Sequence, residues 1–312
     1  MGPVVTVGEH LAAVGAVRAQ FAAVPTDAPV RLAKRTTNLF RPRSAAAGPG
    51  LDVSALDGII AVDHARREAT VQGMATYERV VDATLAHGLM PLVVPQLRTI
   101  TVGGAVTGLG IEASSFRNGL PHESVRSLDI LTGTGDVVTA TAAGPHAELF
   151  RMFPNSYGSL GYAVALTIEL EPVEPFVRLR HVQFDTLSAM TEAIGSIVAE
   201  RSWLGRPVDF LDGVVFGRSA AYLTLGSWEQ TLDAAETTSD YGGQAVYYRS
   251  IRERTEDVLT TRDFLWRWDT DWFWCSRAFG VQHPMLRRLW PRRFKRSDVY
   301  QRLVGLEHRY QP

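Results

Sequence analysis

The stretch Thr99–Gly119, TITVGGAVTGLGIEASSFRNG, decides how the fold of this chain is predicted. Five of its residues are glycine, and small hydroxylated or apolar residues stand between them, so it has few side chains with which to fill a core. Glycine lets the backbone turn and come close to a ligand, and successive backbone N–H groups form concave sites that bind phosphate. We therefore predict that the stretch binds a phosphate-bearing ligand. The alternative is a tight corner of a β-rich fold.

A basic loop precedes this stretch. Residues 25–33 predict a short strand, and the loop KRTTNLFRPR, residues 34–43, follows directly. The loop carries four basic residues together with turn-forming Thr and Asn residues. Because lysine and arginine donate charge-assisted hydrogen bonds to phosphate oxygens, the loop is a candidate cradle for a diphosphate. A solvated charged loop is the alternative.

One motif inside the glycine stretch imitates a different fold. Gly108–Ala113 has the form G-x-G-x-x-A, and Asp129 lies 19 residues beyond Gly110, as in the dinucleotide fingerprint. That fingerprint should follow a strand and open a long helix. Here the sequence NGLP at residues 118–121 ends any helix early, so we exclude a classical dinucleotide-binding unit.

Hydrophobic periodicity predicts an α+β protein in two parts. Two hairpins, at residues 51–73 and 125–141, and several short helices precede a β run at residues 162–170. Beyond residue 175 the pattern changes to strands and an amphipathic helix with fewer glycine corners. We predict one domain at residues 1–175 and a second at residues 176–312.

These motifs, taken in order, resemble the FAD-binding domain of the vanillyl-alcohol oxidase superfamily, the PCMH type. The resemblance covers residues 28–172, and the fold it implies is α+β: a two-subdomain FAD-binding domain followed by an incomplete α+β substrate (cap) domain. The motifs are the basic loop, P-x-L-x-x-x-T-V-G-G-x-x-x-G, S-S-x-x-x-G and G-S-L-G before a β run. They lie at Pro95, Leu97, Thr101, Val102, Gly103, Gly104, Gly108, Ser114, Ser115, Gly119, Gly158, Leu160 and Gly161.

The resemblance implies where FAD would lie. The pyrophosphate would meet the backbone N–H groups of Gly103 and Gly104 and hydroxyl groups of nearby Thr and Ser residues, and the main chain at Gly158 would lie near the isoalloxazine or ribityl. Covalent members carry a His in the first loop, and residues 34–41 contain none, so non-covalent FAD is expected. The implied FAD-binding residues are Lys34, Arg35, Thr36, Thr37, Asn38, Pro95, Thr101, Val102, Gly103, Gly104, Thr107, Gly108, Ser114, Ser115, Gly119, Gly158, Leu160 and Gly161.

The segments GLGIEASSFRNGL and SYGSLGYAVALTIEL look most like the Δ24-sterol reductase branch and its bacterial relatives that reduce methylene-branched fatty acyl chains. The resemblance implies an FAD-dependent oxidoreductase that reduces a C=C bond of a lipid by hydride transfer through flavin N5, with NAD(P)H as electron donor. Two alternatives stay open. One is an FAD-linked alcohol or hydroxy-acid oxidase of the same superfamily. The other is an inactive remnant, because the family closes its FAD domain with a C-terminal segment and we expect this chain to be truncated before it.

Reduction of a C=C bond also needs a proton donor. The candidates beside the glycine stretch are Glu112, Arg117, His122 and Glu123, and a structural hydrogen bond is the competing role for each. No Ser–His–Asp order and no H-x-x-x-H or C-x-x-C spacing is present in the sequence, so we predict no metal site.

Two segments near the C-terminal end are candidate contacts for lipid. The segment at residues 262–279 contains Trp266, Trp268, Trp272 and Trp274, which either wall an apolar substrate or form the core stripe of a helix. The segment RRLWPRRFKR, Arg287–Arg296, has six basic residues in ten with aromatic residues between them. That composition suits an anionic membrane surface, and a solvated helix end is the alternative.

Composition bounds the remaining possibilities. The net charge of −1 gives no general attraction to nucleic acid. The single cysteine excludes an internal disulfide. The first residues read as an amphipathic helix and not as a signal peptide, and no run of 18 apolar residues occurs. We expect a cytoplasmic protein, with association at the inner face of the membrane as an option.

Overall fold

The computed structural model describes residues 4–34 and 50–310, without the side chains of residues 305–310. The helices are α1 (Val7–Ala22), α2 (Tyr77–Leu85), α3 (Val102–Gly108), α4 (Ser115–Asn118), α5 (Ala147–Met152), α6 (Leu187–Glu200), α7 (Tyr247–Glu253), α8 (Thr261–Trp266), α9 (Pro284–Leu289) and α10 (Ser297–Tyr310). The strands are β1 (Ile59–Asp63), β2 (Glu68–Gln72), β3 (Leu89–Pro91), β4 (Val125–Leu131), β5 (Val137–Thr141), β6 (Tyr162–Pro172), β7 (Phe176–Phe184), β8 (Ser202–Trp203), β9 (Arg206–Pro207), β10 (Phe210–Gly217), β11 (Ala220–Glu229) and β12 (Glu256–Thr260).

The described residues divide into two compact units. Unit 1 is drawn from the chain up to Pro95, with Thr99–Ile111 and Leu120–Pro172. Unit 2 contains Gln96–Arg98, Glu112–Gly119 and the chain from Val173 onward. The α+β class predicted from the sequence is confirmed. The predicted boundary after residue 175 lies near the change of unit at residue 173, but two short earlier segments also belong to unit 2.

Unit 1 is built on one antiparallel sheet with the order β1-β2-β6-β4-β5, and β3 pairs with β6. The two predicted hairpins are present as β1–β2 and β4–β5. Helix α2 begins where predicted because the side chain of Thr76 accepts a hydrogen bond from the backbone N–H of Arg79 at 3.4 Å. One core cluster of unit 1 joins Val14 and Val17 of α1 to Leu131 and Val164 of the sheet.

Unit 2 has an antiparallel sheet with the order β10-β11-β7-β12. Helix α6 buries Met190, Ala193 and Ile197 against apolar residues of β11, which is the amphipathic packing that its sequence predicts. Thr186 caps this helix at its N-terminal end by accepting from the N–H of Ala189 at 3.1 Å. The helix ends at Arg201 in a left-handed conformation with φ +56°.

Two predicted elements differ in the structure. Residues 25–33 form no extended strand, and their only described pairing is an isolated bridge between Leu32 and Leu51. The tryptophan-rich segment is not one helix. Helix α8 ends at Trp266, and short 3₁₀ turns follow because Trp272 and Phe273 adopt positive φ of 47° and 61°, which a helix cannot continue through. Within the described residues, no helix is both long and apolar enough to cross a membrane.

Candidate functional site

A cavity of about 140 Å³ in unit 1, here called the glycine cavity, brings together part of the predicted FAD site. Six of the predicted residues line it, although they come from three separate segments of the chain. The other six lining residues were not predicted. The lining residues are Leu32, Lys34, Gly73, Met74, Gly103, Gly104, Thr107, Tyr157, Gly158, Gly161, Tyr162 and Ala163.

Two backbones cross closely at this cavity. A Cβ on Gly103 would lie 2.7 Å from the carbonyl oxygen of Gly73, so any side chain there would push the two segments apart. The N–H of Gly103 donates to that same carbonyl at 3.0 Å, and the N–H of Gly104 donates to the hydroxyl of Thr101 at 3.2 Å. The hydroxyl of Thr107 donates to the carbonyl of Gly103 at 2.8 Å. The donors predicted to meet a pyrophosphate are therefore engaged within the protein, and these residues offer a small, closely approachable surface.

Lys34 supplies the cationic group of the glycine cavity. Its Nζ lies 3.5 Å from the hydroxyl of Thr101 and 3.7 Å from the sulfur of Met74. An ammonium group beside a glycine-rich surface is suited to a phosphate oxygen. The predicted residues Arg35, Thr36, Thr37 and Asn38 lie outside the described residues.

Two tyrosines complete the cavity wall and were not predicted. Tyr157 has a positive φ of 50°, and its hydroxyl donates to the carbonyl of Gly108 at 3.2 Å. Tyr162 donates to the carbonyl of Val30 at 3.1 Å, and burial raises the pKa of its hydroxyl. The positive φ of Tyr157 is a strained conformation for a non-glycine residue, and such strain concentrates at binding sites. The sequence signal for these two residues was the segment SYGSLGY, in which tyrosines flank the glycines. The sequence does not show which way the tyrosine side chains point.

The other predicted FAD-binding residues do not line the glycine cavity. Pro95, Thr101, Val102, Gly108 and Leu160 belong to unit 1, and Val102, the first residue of α3, is fully buried. Ser114, Ser115 and Gly119 belong to unit 2. There Ser114 is buried, and the hydroxyl of Ser115 accepts from the N–H of Glu112 at 3.0 Å.

The rejected dinucleotide motif, Gly108–Ala113, lacks the preceding strand and the following long helix that the fingerprint requires. Gly108 is the last residue of the seven-residue helix α3 and does not follow a strand. Leu109 then turns to φ +54°, and the next helix, α4, has four residues. No long helix begins at the motif.

Glu112 is the predicted proton donor with the most perturbed surroundings. The carboxyl is half-buried in unit 2, accepts from the backbone of Gln96, and lies near the ion pair of Asp212 with Arg267. Burial, followed by the charge of Asp212, raises its pKa to about 8 against the opposing effect of Arg267. Glu112 therefore carries a proton at neutral pH and can donate it.

The other three proton-donor candidates are placed differently. Arg117 donates from Nε to the carbonyl of Asp209 at 2.8 Å and lies over the ring of Phe210. Glu123 accepts from the backbone N–H of Leu120 at 2.7 Å, which is a helix-capping role. His122 is half-buried in unit 1, and its Nδ1 is a buried atom with no hydrogen-bond partner among the described residues.

The four tryptophans predicted to meet substrate separate into two pairs. Trp266 and Trp268 are buried, and Trp268 packs edge-on against Tyr247 with ring centroids 4.8 Å apart. Trp272 and Trp274 line a groove of about 1000 Å³ in unit 2, here called the aromatic groove, and of these two Trp272 is buried and Trp274 is exposed. The aromatic-wall prediction therefore concerns Trp272 and Trp274. The groove residues are Trp272, Trp274, Cys275, Arg277, Ala278, Phe279, Leu303 and Val304.

The basic segment Arg287–Arg296 is not uniformly exposed, so only some of its side chains are available for the membrane surface predicted from it. Arg287 is 1% exposed and pairs with Asp271 at 2.7 Å. Lys295 is 3% exposed and donates to the carbonyls of Gly242 and Gly243 at 2.9 and 2.7 Å. Both are interior groups because backbone carbonyls and a carboxylate satisfy their charges. The exposed basic side chains of the segment are Arg288, Arg292 and Arg293.

Comparison with known proteins finds a family match over part of the chain. Residues 11–141 match a family described as FAD binding domain. The Δ24-sterol reductase of Arabidopsis thaliana is 27% identical over 186 residues, which is 59% of this chain and 33% of the relative. The human Δ24-sterol reductase is 32% identical over 168 residues, covering 54% of this chain and 31% of the relative. Decaprenylphosphoryl-β-D-ribose oxidase of Mycolicibacterium smegmatis is 35% identical over 125 residues, covering 40% and 27%. The chain thus spans about a third of the length of the curated relatives it matches.

Proposed function

We propose, from the premise that this chain contains an FAD-binding domain, that it forms the flavin-binding part of an FAD-dependent oxidoreductase. The match of residues 11–141 supports the resemblance to FAD-binding domains that the glycine motifs carry. One observation carries the functional proposal: the matched residues 11–141 include three of the four segments that line the glycine cavity, at residues 32–34, 73–74 and 103–107.

The glycine cavity fits the phosphate-bearing part of FAD. A Cβ at Gly104 would lie 2.8 Å from the hydroxyl of Thr101 and 4.0 Å from the Nζ of Lys34, so only glycine leaves the cavity open beside the ammonium group. Lys34 would pair with a phosphate oxygen, and Tyr157 offers an aromatic ring at the cavity wall. FAD, when bound, supplies hydride-transfer chemistry, and the protein supplies binding and orientation.

The substrate class that we propose is a lipid with a C=C bond. Two features support it. Relatives named Δ24-sterol reductase match more than half of the chain. The aromatic groove offers the apolar, concave lining by which proteins bind hydrophobic ligands, and its volume lies at the upper end of the roughly 300–1000 Å³ of such sites. NAD(P)H is the proposed electron donor.

Glu112 is the proposed proton donor. Its carboxyl holds a proton at neutral pH because it is buried beside Asp212, and its pKa of about 8 lies close to the range in which general acids work best. Asp212, whose charge contributes to the raised pKa of Glu112, itself pairs with Arg267.

A second candidate function is the oxidation of an alcohol. The relative with the highest identity among those described above, at 35%, is an oxidase. Its match covers a shorter part of this chain, 40%, than the sterol reductase matches do. We therefore rank alcohol oxidation second.

An anaerobic flavin titration tests both functions. The purified chain is loaded with FAD, reduced with NADPH or NADH, and mixed with vesicles that contain either an unsaturated sterol or a methylene-branched phospholipid. C=C reduction predicts that the visible absorbance of oxidised flavin returns when the unsaturated lipid is added and stays low with the saturated lipid. Alcohol oxidation predicts that oxidised flavin loses its absorbance when an alcohol is added. Flavin that is bound but responds to neither class would refute the proposed substrate classes.

We also propose peripheral contact with an anionic membrane through the exposed part of the basic segment. Arg288, Arg292 and Arg293 are exposed, and so are the apolar side chains of Leu289 and Phe294. Exposed apolar residues next to basic ones suit the boundary between lipid head groups and acyl chains. Co-sedimentation with phosphatidylglycerol vesicles tests the contact: Leu289→Ser should weaken sedimentation, whereas the exposed Leu204→Ser in the β8–β9 turn serves as a matched control. Equal sedimentation of both variants and the wild type would refute the proposed surface.

A further inference from the structure

Unit 2 contains a second cavity, of about 220 Å³, that is unusually rich in positive charge. We call it the basic cavity. Seven of its thirteen lining residues are Arg or Lys and two are Asp. No residue of the cavity belongs to unit 1, so it is separate from the glycine cavity. Its volume is smaller than the roughly 300–1000 Å³ of drug-sized ligand sites, which indicates a compact group as its occupant.

Most of the cavity's arginines are already neutralised by carboxylates. Arg98 pairs with Asp269 at 2.6 Å, and Arg296 pairs with Asp298 at 2.9 Å. Arg267 pairs with Asp212, and Arg292 with Asp240. The other lining acid is Asp263. Its carboxylate accepts a hydrogen bond from the hydroxyl of Thr260, and its backbone N–H donates to the same hydroxyl, which caps α8. These pairs leave little acidic charge to oppose an incoming anion.

Two of the remaining lining cations, Arg293 and Lys295, have no carboxylate partner among the described residues. Arg293 forms no ion pair with a carboxylate of the described residues, and its guanidinium lies over its neighbour Phe294. Lys295 donates only to the carbonyls of Gly242 and Gly243, which are uncharged. An ammonium group has three donors, so these two bonds leave one N–H of Lys295 unassigned.

The protonation of Lys295 reports the positive potential of the cavity. Burial, and then the nearby charge of Arg287 with that of Arg292, lower its pKa to about 8 against the opposing effect of Asp271. A bound anion would reverse this effect because it favours the charged ammonium. Trp266 also lines the cavity, with the guanidinium of Arg98 5.4 Å from the centre of its ring, so one wall is rigid.

We propose that the basic cavity binds a phosphate group, with Arg293 and Lys295 as its principal ligands. Arginine offers a planar pair of donors to phosphate oxygens and lysine a compact charge, and together they match a tetrahedral dianion. The phosphate can belong to a free phosphate ion or to a lipid head group. The site is independent of the flavin reaction proposed above.

Isothermal titration of the full chain with inorganic phosphate tests the site. Arg293→Ala should weaken phosphate binding by about tenfold or more, as expected for the loss of a charge-assisted hydrogen bond. Arg288→Ala is the matched control, since Arg288 is exposed in the same segment and does not line the cavity. It should change the affinity by less than about twofold. Thermal unfolding of both variants checks that they fold like the wild type.

Proton linkage gives a second measurement. At pH 8, phosphate binding should be accompanied by proton uptake at Lys295, which appears as a dependence of the binding enthalpy on the ionisation enthalpy of the buffer. Lys295→Arg keeps the charge and should reduce that uptake, because an arginine is protonated throughout. Unchanged uptake in Lys295→Arg would place the titrating group elsewhere and contradict the assignment.

Two vesicle arms identify the source of the phosphate. Vesicles of phosphatidylglycerol and phosphatidylcholine are mixed with the chain, and inorganic phosphate is then added. Vesicle binding that saturating inorganic phosphate displaces indicates a lipid head group in the basic cavity, whereas vesicle binding that phosphate leaves unchanged belongs to the exposed surface proposed above. Saturable binding of inorganic phosphate without such vesicle competition indicates a soluble phosphate. The proposal is overturned if neither probe binds saturably, or if Arg293→Ala and Arg288→Ala weaken the binding of inorganic phosphate equally.

Discussion

Neighbouring arginines in the basic segment should respond very differently to mutation. Arg287 is 1% exposed, and its guanidinium contacts both carboxylate oxygens of Asp271, at 2.7 and 3.0 Å, and the carbonyl of Gly243 at 3.0 Å. It also donates to the carbonyls of Tyr241 and Ala245 at 2.9 and 2.5 Å. Arg287→Met removes all of these donors and leaves the carboxylate of Asp271 buried with the hydroxyl of Ser276 as its donor.

The loss of stability in Arg287→Met can be estimated because the ion pair of Arg287 with Asp271 is buried. Removing one partner of a buried ion pair costs about 3–5 kcal/mol because the remaining charge is uncompensated. At ~2–4 °C per kcal/mol for a unit of this size, the melting temperature of unit 2 should fall by roughly 6–20 °C. Arg288→Met, at an exposed position one residue away, should change the free energy of unfolding by no more than about 0.5 kcal/mol.

Chemical denaturation of the two variants and the wild type, followed by circular dichroism and tryptophan fluorescence, measures the difference. Arg287→Lys adds a graded control, since it keeps the charge but loses the planar fork, and it should fall between Arg287→Met and the wild type. Equal destabilisation by Arg287→Met and Arg288→Met would refute the assignment of Arg287 to the interior.

Three further predictions concern pH and the cofactor. Below pH 4.5, Glu112→Gln should have the same free energy of unfolding as the wild type. As pH rises through about 8 the variant should become more stable than the wild type by roughly 2–5 kcal/mol, because the raised pKa of the native carboxyl makes its ionisation unfavourable in the folded state. Denaturation at pH 4.5 and 9 checks this, and a difference that does not change with pH would contradict it. Burial lowers the pKa of His181 to about 4, so the wild type should lose up to ~3 kcal/mol as pH falls from about 6.5 to 4, and His181→Gln should remove that loss; an unchanged acid profile would show that another group is responsible. Gly104→Leu should weaken FAD binding by about 10–100-fold in a fluorescence titration, because the leucine side chain enters the glycine cavity. The control Gly15→Leu lies at an exposed helical position with nothing within 4 Å of a Cβ and should leave FAD binding unchanged. Equal FAD affinities of the two variants would remove Gly104 from the site.

The sequence could predict those parts of the fold that depend on local chemistry. The β1–β2 and β4–β5 hairpins follow from alternating residues around polar turns, and α2 follows from Thr76 and the apolar spacing after it. Glycine chemistry predicted a phosphate-bearing ligand, and the resemblance of the motifs to a known family implied that this ligand is FAD. Gly103 illustrates the limit of that reasoning. Its close partner proved to be the carbonyl of Gly73, thirty residues earlier in the chain, which no local pattern indicates.

Charge and aromatic patterns were less informative because their meaning depends on distant partners. Arg287 and Arg288 look equivalent in sequence, and only the position of Asp271 and of the carbonyls at residues 241–245 makes the first an interior residue. The tryptophan-rich segment has a composition that suits either a core or a groove. Positive φ at Trp272 turns the chain there, so that Trp268 is buried and Trp274 is exposed.

The central claim is that unit 1 binds FAD, and the most direct measurement is flavin retention by the purified 312-residue chain. The chain is mixed with excess FAD, passed through a desalting column and assayed for visible flavin absorbance against protein concentration. We predict close to one FAD per chain, released as free FAD on denaturation because the binding is non-covalent. A colourless protein that is folded by circular dichroism and still retains no flavin would contradict the account.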